Sequence, residues 1–373
     1  MPKILIISSS LQTGGAEKSA IKLSNSLNAT SGHEIYFGTY FKSELDFYDS
    51  PACSFLDFSI STNLTSTKNI TFAMLPKIIA NIRKARKIIV SQNIDLVISF
   101  GAGVGCLTYL MLFRTNISQI TSERTSPDSE IYRPSFLARL LRPWIYQHGV
   151  LCSVQSREAQ ELVARIWNIE SFVTPNHFEI PEQKYELQKS TGPCIAVGRV
   201  DHQKGYDLLI AAWIFIEKKY KNKLYIVTDD SAGRLNEMIL LAGLKNVEIK
   251  PLSKDLNSIY SECTLYISVS RLEGFPNATA EAIIFGIPVL TSVNSDPVAS
   301  WKKQQLCLTF DSLEPEVIAK KIASVLDDET LRKNISDIAL QNRQDFTWDH
   351  VQSSWMDLIE KAIFLRNNLN TKE

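Results

Sequence analysis

The sequence predicts an α/β protein built from two open, parallel-sheet domains. Three observations carry this. Short apolar runs alternate with helical patterns almost throughout the 373 residues, as parallel strands joined by crossover helices require. The alternation stops once, along the polar, proline-bearing stretch Pro175–Lys189, and then restarts. The length suits about two domains at roughly 150 residues each.

The elements follow in order. Strands are expected at Ile4–Ser8, Glu34–Thr39, Leu96–Phe100, Ser118–Ser122 and Val150–Val154. Helices are expected at Ala16–Leu27, Leu75–Val90, Ser135–Tyr146 and Ser156–Ile166, the last with a serine cap. Beyond the linker, strands are expected at Cys194–Val197, Leu224–Thr228, Val247–Ile249, Leu265–Val269 and Pro288–Thr291. Helices are expected at Gly205–Lys218, Gly233–Leu241 and Glu314–Leu326, with another opening near Asn277. A last amphipathic helix runs over Trp348–Leu365, where Trp348, Val351, Trp355, Leu358, Ile359 and Ile363 repeat at helical spacing.

Composition is that of an ordinary globular chain, 45% hydrophobic and 21% charged. Lys+Arg and Asp+Glu both total 40, which argues against nucleic acid as a partner. The charge is uneven: residues 77–142 hold 10 basic and 4 acidic side chains. Six scattered cysteines without a C-x-x-C read as reduced core thiols of a cytoplasmic protein. The opening apolar run is too short for a signal peptide and reads as the first strand.

Three loops can carry chemistry. The first, Ser8–Glu17, holds Gly14 and Gly15 between a strand and a helix, where backbone can approach a ligand. In the second, Arg199 and Lys204 bracket a loop that also opens a helix. Two cations oppose the helix dipole there unless an anion joins them, and a diphosphate would serve. The third is Ser270–Val289. Glu273 and Glu281 lie eight apart on either side of a Gly-Phe-Pro turn and a helix start. The helix N–H groups suit a phosphate and the carboxylates suit sugar hydroxyls.

The phrase Glu273-Gly-Phe-Pro-Asn with Glu281-Ala and Gly286-Ile-Pro resembles the Glu-seven-Glu motif of retaining glycosyltransferases of family 4. Gly14-Gly-Ala-Glu17, Gly198-Arg199 with Lys204-Gly205, and the Phe346-Thr-Trp348 helix resemble the same family. The resemblance implies two facing Rossmann-like domains, the GT-B fold. These would be an acceptor-side domain over 1–178, a nucleotide-sugar domain over 190–345, and a helix over 346–373 crossing back to the first domain. It implies transfer, with retention, from a nucleoside-diphosphate sugar, for which a UDP-sugar is the first expectation. The acceptor would be a saccharide or lipid-linked saccharide of surface polysaccharide assembly. Arg199 and Lys204 would neutralise the diphosphate, Glu273 would face the sugar hydroxyls, and Glu281 the ribose. Gly274, Phe275, Pro276, Asn277 and Ala278 would hold oxygens through their backbone, and Gly14 and Gly15 would complete the donor site. Without a D-x-D spacing in the chain, no essential metal is expected.

The chain also departs from the family. Many relatives carry a histidine where this sequence reads Ser122-Glu123-Arg124. Glu123 and Arg124 then become candidates for acceptor or sugar contact, or equally a structural ion pair. Thr228–Ser231 and Thr291–Pro297 replace glycine-bearing loops. They leave open an inactive sugar-nucleotide-binding subunit, and a nucleotide-sugar epimerase on the same fold is the other alternative. Lys77, Arg83, Lys84, Arg86 and Lys87 share one helix, and Arg133–Trp144 adds a basic stretch with Phe136, Leu140 and Trp144. Together they form a surface able to meet an anionic membrane at the cytoplasmic face of the inner membrane.

Overall fold

The computed structural model describes residues 1–12, 14–41, 46–58, 75–124, 136–183, 185–253 and 255–370, leaving the side chains of 75–78, 136–140 and 368–370 undescribed. The described chain runs β1 (Lys3–Ser8), α1 (Gly15–Thr30), β2 (Glu34–Thr39), β3 (Ser54–Asp57), α2 (Leu75–Ser91), β4 (Leu96–Phe100), α3 (Ala102–Leu112), β5 (Ser118–Ser122), α4 (Phe136–Gln147), β6 (Leu151–Val154), α5 (Arg157–Trp167) and β7 (Ser171–Val173). It continues with β8 (Cys194–Val197), α6 (Tyr206–Glu217), β9 (Leu224–Val227), α7 (Arg234–Leu241), β10 (Val247–Lys250), α8 (Asn257–Glu262), β11 (Leu265–Ser268), α9 (Asn277–Phe285), β12 (Val289–Thr291), α10 (Asp296–Lys303), β13 (Leu308–Thr309), α11 (Pro315–Asp327), α12 (Glu329–Asn342) and α13 (Trp348–Asn370).

These elements form two units. Unit 1 comprises Met1–His177 with Trp348–Glu373, and unit 2 comprises Phe178–Thr347. Unit 1 holds a parallel sheet in the order β3-β2-β1-β4-β5-β6-β7. The central strands β1 and β4 are nearly continuous runs of buried Ile, Leu and Val, as a sheet covered on both faces demands. On one face Ile4, Ile6, Ile98 and Ile120 meet α1 and the apolar stripe of α13. Trp355, Leu358 and Ile359 of α13 are at most 1% exposed, each burial contributing about 1.5–3 kcal/mol. Ser118 fixes the register of α13 by donating to the carbonyl of Ala362 at 2.7 Å. The last helix of the sequence is therefore part of the first core.

Unit 2 repeats the architecture with the order β10-β9-β8-β11-β12-β13, again all parallel. The stretch read as a polar linker divides at its start. Phe178 and Tyr185 are buried in the core of unit 2, and Phe178 N–H donates to the carbonyl of Phe346. The crossing between units is thus sharp, between His177 and Phe178.

Several elements were not expected from the sequence. Strands β3, β7 and β13 are two to four residues long, too short for a periodic pattern to show. Helix α3 is apolar on all sides and contains Gly103 and Gly105, which mask its period. Gly105 is required because an added Cβ would lie 2.4 Å from the methyl carbon of Thr121. Helix α12 buries a thin stripe and starts on an Asp328 cap that accepts from Leu331 N–H at 2.8 Å.

Candidate active site

In an open parallel sheet, ligands collect beyond the carboxyl ends of the strands, where the strand order reverses. In unit 2 that point lies between β8 and β11. The loops leaving these two strands carry the predicted donor residues. After β8 the chain makes a short 3-10 turn, His202–Lys204, whose cap is the Asp201 carboxylate accepting from Lys204 N–H at 3.1 Å. Gly205 ends the turn at φ 68° and opens α6. A Cβ at Gly205 would lie 2.4 Å from the Val269 carbonyl oxygen, so only glycine brings the two loops this close.

The close approach puts Lys204 against Glu273. Lys204 Nζ lies 2.6 Å from Glu273 Oε1, with side chains 18% and 8% exposed. Gln203 Nε2 donates to Glu273 Oε2 at 3.3 Å and to the Leu272 carbonyl at 2.6 Å. The Lys204 stem lies over Gly198, where a Cβ would come within 2.9 Å of it. Arg199 lies 3.5 Å from Asp201 and its side chain is 54% exposed. The charge conflict posed by Arg199 and Lys204 is therefore answered within the protein, by Asp201 and Glu273. The sequence singled out neither Gln203 nor Asp201 for these roles. Arg271 ties the same loops from outside, pairing with Asp207 at 2.5 Å and donating to the His202 carbonyl at 2.8 Å.

The remaining residues of this loop lead into α9. Gly274, Phe275 and Pro276 form the approach, and α9 begins at Asn277 with no side-chain cap on its first turn. Ala278 lies in that turn, and Glu281 follows one turn later, half-buried. The Glu281 charge helps raise the ionisation of the buried Tyr260 phenol, after burial itself. Buried polar atoms without a hydrogen-bond partner gather at this end of the sheet: Gln203 Oε1 after β8, Thr228 Oγ1 after β9, and Asn294 Oδ1 and Ser295 Oγ after β12. Such atoms are costly unless a polar ligand meets them. Asp230, in the loop that departs from the family pattern, caps α7 through Leu235 and Asn236 N–H groups.

In unit 1 the order reverses between β1 and β4. Gly14 is the N-cap of α1, and Gly15 is its first residue. Glu17 folds back over Gly14, so a Cβ there would lie 2.0 Å from Glu17 Oε2. Ser9 Oγ donates to Glu17 Oε1 at 2.7 Å.

Glu123 and Arg124 part company. Glu123 is 3% exposed and pairs with Arg142 Nη2 at 2.7 Å, while the Tyr146 hydroxyl donates to it. Arg142 in turn stacks over Trp167 at 4.4 Å. This carboxylate serves the core, which corrects its assignment to acceptor contact and also the reading of a Glu123–Arg124 pair. Arg124 is half-buried over the Phe100 ring at 4.4 Å and donates to Asn176 Oδ1.

The basic surface is smaller than the sequence suggested. Arg86 donates to the carbonyls of Met111 and Phe113 at 3.0 and 2.6 Å, and Arg142 is neutralised internally. Arg83, Lys84 and Lys87 are exposed on α2. The side chains of Lys77, Phe136, Arg139 and Leu140, and all of Arg133, lie outside the described residues. Among the described residues, no helix is long and apolar enough to cross a membrane.

Residues 179–342 match the family model of glycosyl transferases group 1. The chain is 24% identical to an N-acetylgalactosaminyltransferase of Campylobacter jejuni that acts on a diNAcBac-PP-undecaprenol-linked saccharide, over 97% of this chain and 99% of the relative. It is also 24% identical to the amylovoran biosynthesis glycosyltransferase AmsD of Erwinia amylovora, over 50% of this chain and 54% of that one. Among solved structures, sucrose-phosphate synthase of Thermosynechococcus elongatus superposes with a TM-score of 0.81 at 16% identity, covering 97% and 99% of the two chains. HepE of Anabaena, solved with UDP and glucose, gives 0.79 at 15% identity, covering 97% and 100%. The family match lies within unit 2, and the likeness to these solved structures shows the GT-B fold.

Proposed function

We propose that this protein moves a sugar, with retention as in family 4, from a nucleoside-diphosphate sugar to a saccharide or lipid-linked saccharide in surface polysaccharide or glycolipid assembly. The observation that carries the reading is the Lys204–Glu273 pair at the unit 2 reversal point, flanked by Arg199 and the uncapped start of α9. Breaking a glycosyl–phosphate bond leaves negative charge on the diphosphate. Lys204, Arg199 and the first-turn N–H groups of α9 would stabilise that charge before it develops. Glu273, held by Lys204 and Gln203, would present its remaining lone pairs to sugar hydroxyls, and Glu281 would accept from the ribose. The unpartnered Gln203, Thr228, Asn294 and Ser295 oxygens suit a ligand rich in hydroxyls. In this reading positive charge comes from the protein, no essential metal is required, and a UDP-sugar is the first donor to try. Arg124 would contact the acceptor. The exposed Arg83, Lys84 and Lys87 would allow peripheral contact with an anionic inner-membrane face.

Thermal unfolding with UDP-, GDP- and ADP-sugars tests this. The true donor raises the midpoint by mass action, and protection by none of the three would overturn the donor assignment.

A further inference from the structure

Unit 1 sets one arginine in its core and leaves another half-buried, and it treats them differently. Arg142 has the Glu123 carboxylate at 2.7 Å. Among the described residues Arg124, on the loop after β5, pairs with no carboxylate, and its Nε is buried without an acceptor. The guanidinium rests on Phe100 at 4.4 Å and lies 5.9 Å from Trp355 of α13. Asn176 supplies one neutral acceptor. Burial pushes the Arg124 pKa down to about 9. Nearby His177 is held neutral, with its pKa near 4, so it adds no second charge. Aromatic faces offset part of the cost of a partly dehydrated cation, but a guanidinium whose Nε is buried, with no counter-charge among the described residues, is a liability in the free protein. It becomes an asset when an oxyanion arrives.

The position fits a ligand. Phe100 is the last residue of β4, on the reversal point of the unit 1 sheet. Gly101 follows as the N-cap of α3, whose first turn has no side-chain cap. The planar fork of an arginine matches a phosphate better than any other side chain does.

We propose that Arg124 is the receptor for a phosphate-ester oxyanion carried by the acceptor, seated over Phe100 and Trp355. This deepens the acceptor role proposed for Arg124 and rests on it. It means that the acceptor bears a fixed negative charge, and that Arg124 selects for it.

The test uses the full chain carrying Arg199→Ala and Lys204→Ala, which removes the proposed donor-phosphate cations of unit 2. Inorganic pyrophosphate is titrated calorimetrically into this protein with and without Arg124→Gln. Loss of the charge-assisted contact should weaken binding roughly 10- to 100-fold, and Arg124→Lys should restore part of it. Equal affinity with and without Arg124 would overturn the proposal. Arg124→Met in the otherwise unchanged protein should unfold at the same or a higher temperature without ligand, because it removes an uncompensated charge. A lower midpoint would mark a merely structural arginine and also overturn it. Co-sedimentation with phosphatidylglycerol vesicles separates the two sources of phosphate. Arg124→Gln should leave vesicle binding unchanged, and loss there without loss of pyrophosphate binding would assign the residue to lipid headgroups instead. Donor binding is scored separately by UDP protection of the unsubstituted protein, so a failure of the transferase reading and a failure of this inference look different.

Discussion

The two reversal points share a topology and differ in where their charges are answered. In unit 2 the loop cation Lys204 meets Glu273 inside the loops, and the helix start at α9 has no side-chain cap. In unit 1 the start of α1 also lacks a side-chain cap but has the Glu17 carboxylate folded over Gly14, while the cation Arg124 has no carboxylate partner among the described residues. The contrast teaches that one sheet pattern can pre-neutralise either the cation or the helix end. What is left open differs: a helix N-terminus beside a neutralised lysine in one unit, a guanidinium with no counter-charge among the described residues in the other.

The largest expected effect tests the internal answer in unit 1. Glu123→Ala leaves Arg142 buried and unpaired, and should cost about 3–5 kcal/mol in urea unfolding. A loss under 1 kcal/mol would mean that the Glu123–Arg142–Tyr146 cluster is not the anchor it resembles. In unit 2, Lys204→Ala should lower kcat/KM with the true donor by about 10²–10³-fold. Unchanged turnover would end the phosphate assignment.

Acid should strain unit 1 through a group that unit 2 lacks among the described residues. Burial first, then the charges of Lys22 and Arg124, lower the His177 pKa to about 4 from 6.5. As the pH falls, the unfolded chain takes this proton before the folded one does. The stabilisation is therefore full above about pH 6.5 and is lost progressively down to about pH 4. His33 shifts the same way, through its own burial. Equilibrium unfolding between these limits should lose on the order of 2–3 kcal/mol, and His177→Gln should flatten most of that slope. The smallest effect sharpens the α1 end of the comparison. Ser9→Ala removes a hydroxyl from Glu17 and should cost about 1 kcal/mol. A gain instead would show that Glu17 is held away from a better position.

Much of this was legible in the sequence, and the reasons are local. The strands of both sheet centres are continuous apolar runs, which read directly. Glu273, Lys204 and Arg199 sit at strand-to-helix junctions, where a charged residue stands out. Gln203 did not stand out, because a neutral amide in a loop carries no pattern until its bonds to Leu272 and Glu273 are seen. Glu123 misled because adjacency in sequence says nothing about direction. Successive residues leaving β5 point opposite ways, one into the α4–α5 core and the other over Phe100. Arg86 and Arg142 likewise read as surface charge, since no sequence rule distinguishes an arginine that ends in solvent from one that ends on two carbonyls.

Helix α13 has a further consequence, for the order in which the chain can be made. It covers the unit 1 sheet face formed by Ile4, Ile6, Ile98 and Ile120, yet all of Phe178–Thr347 is synthesised between them. Unit 2 is one uninterrupted segment and can close as soon as it leaves the ribosome. Unit 1 must wait with an apolar face uncovered until the final helix emerges. The later-made unit is therefore the first able to finish folding, and any pause near Thr347 exposes the earlier one to aggregation.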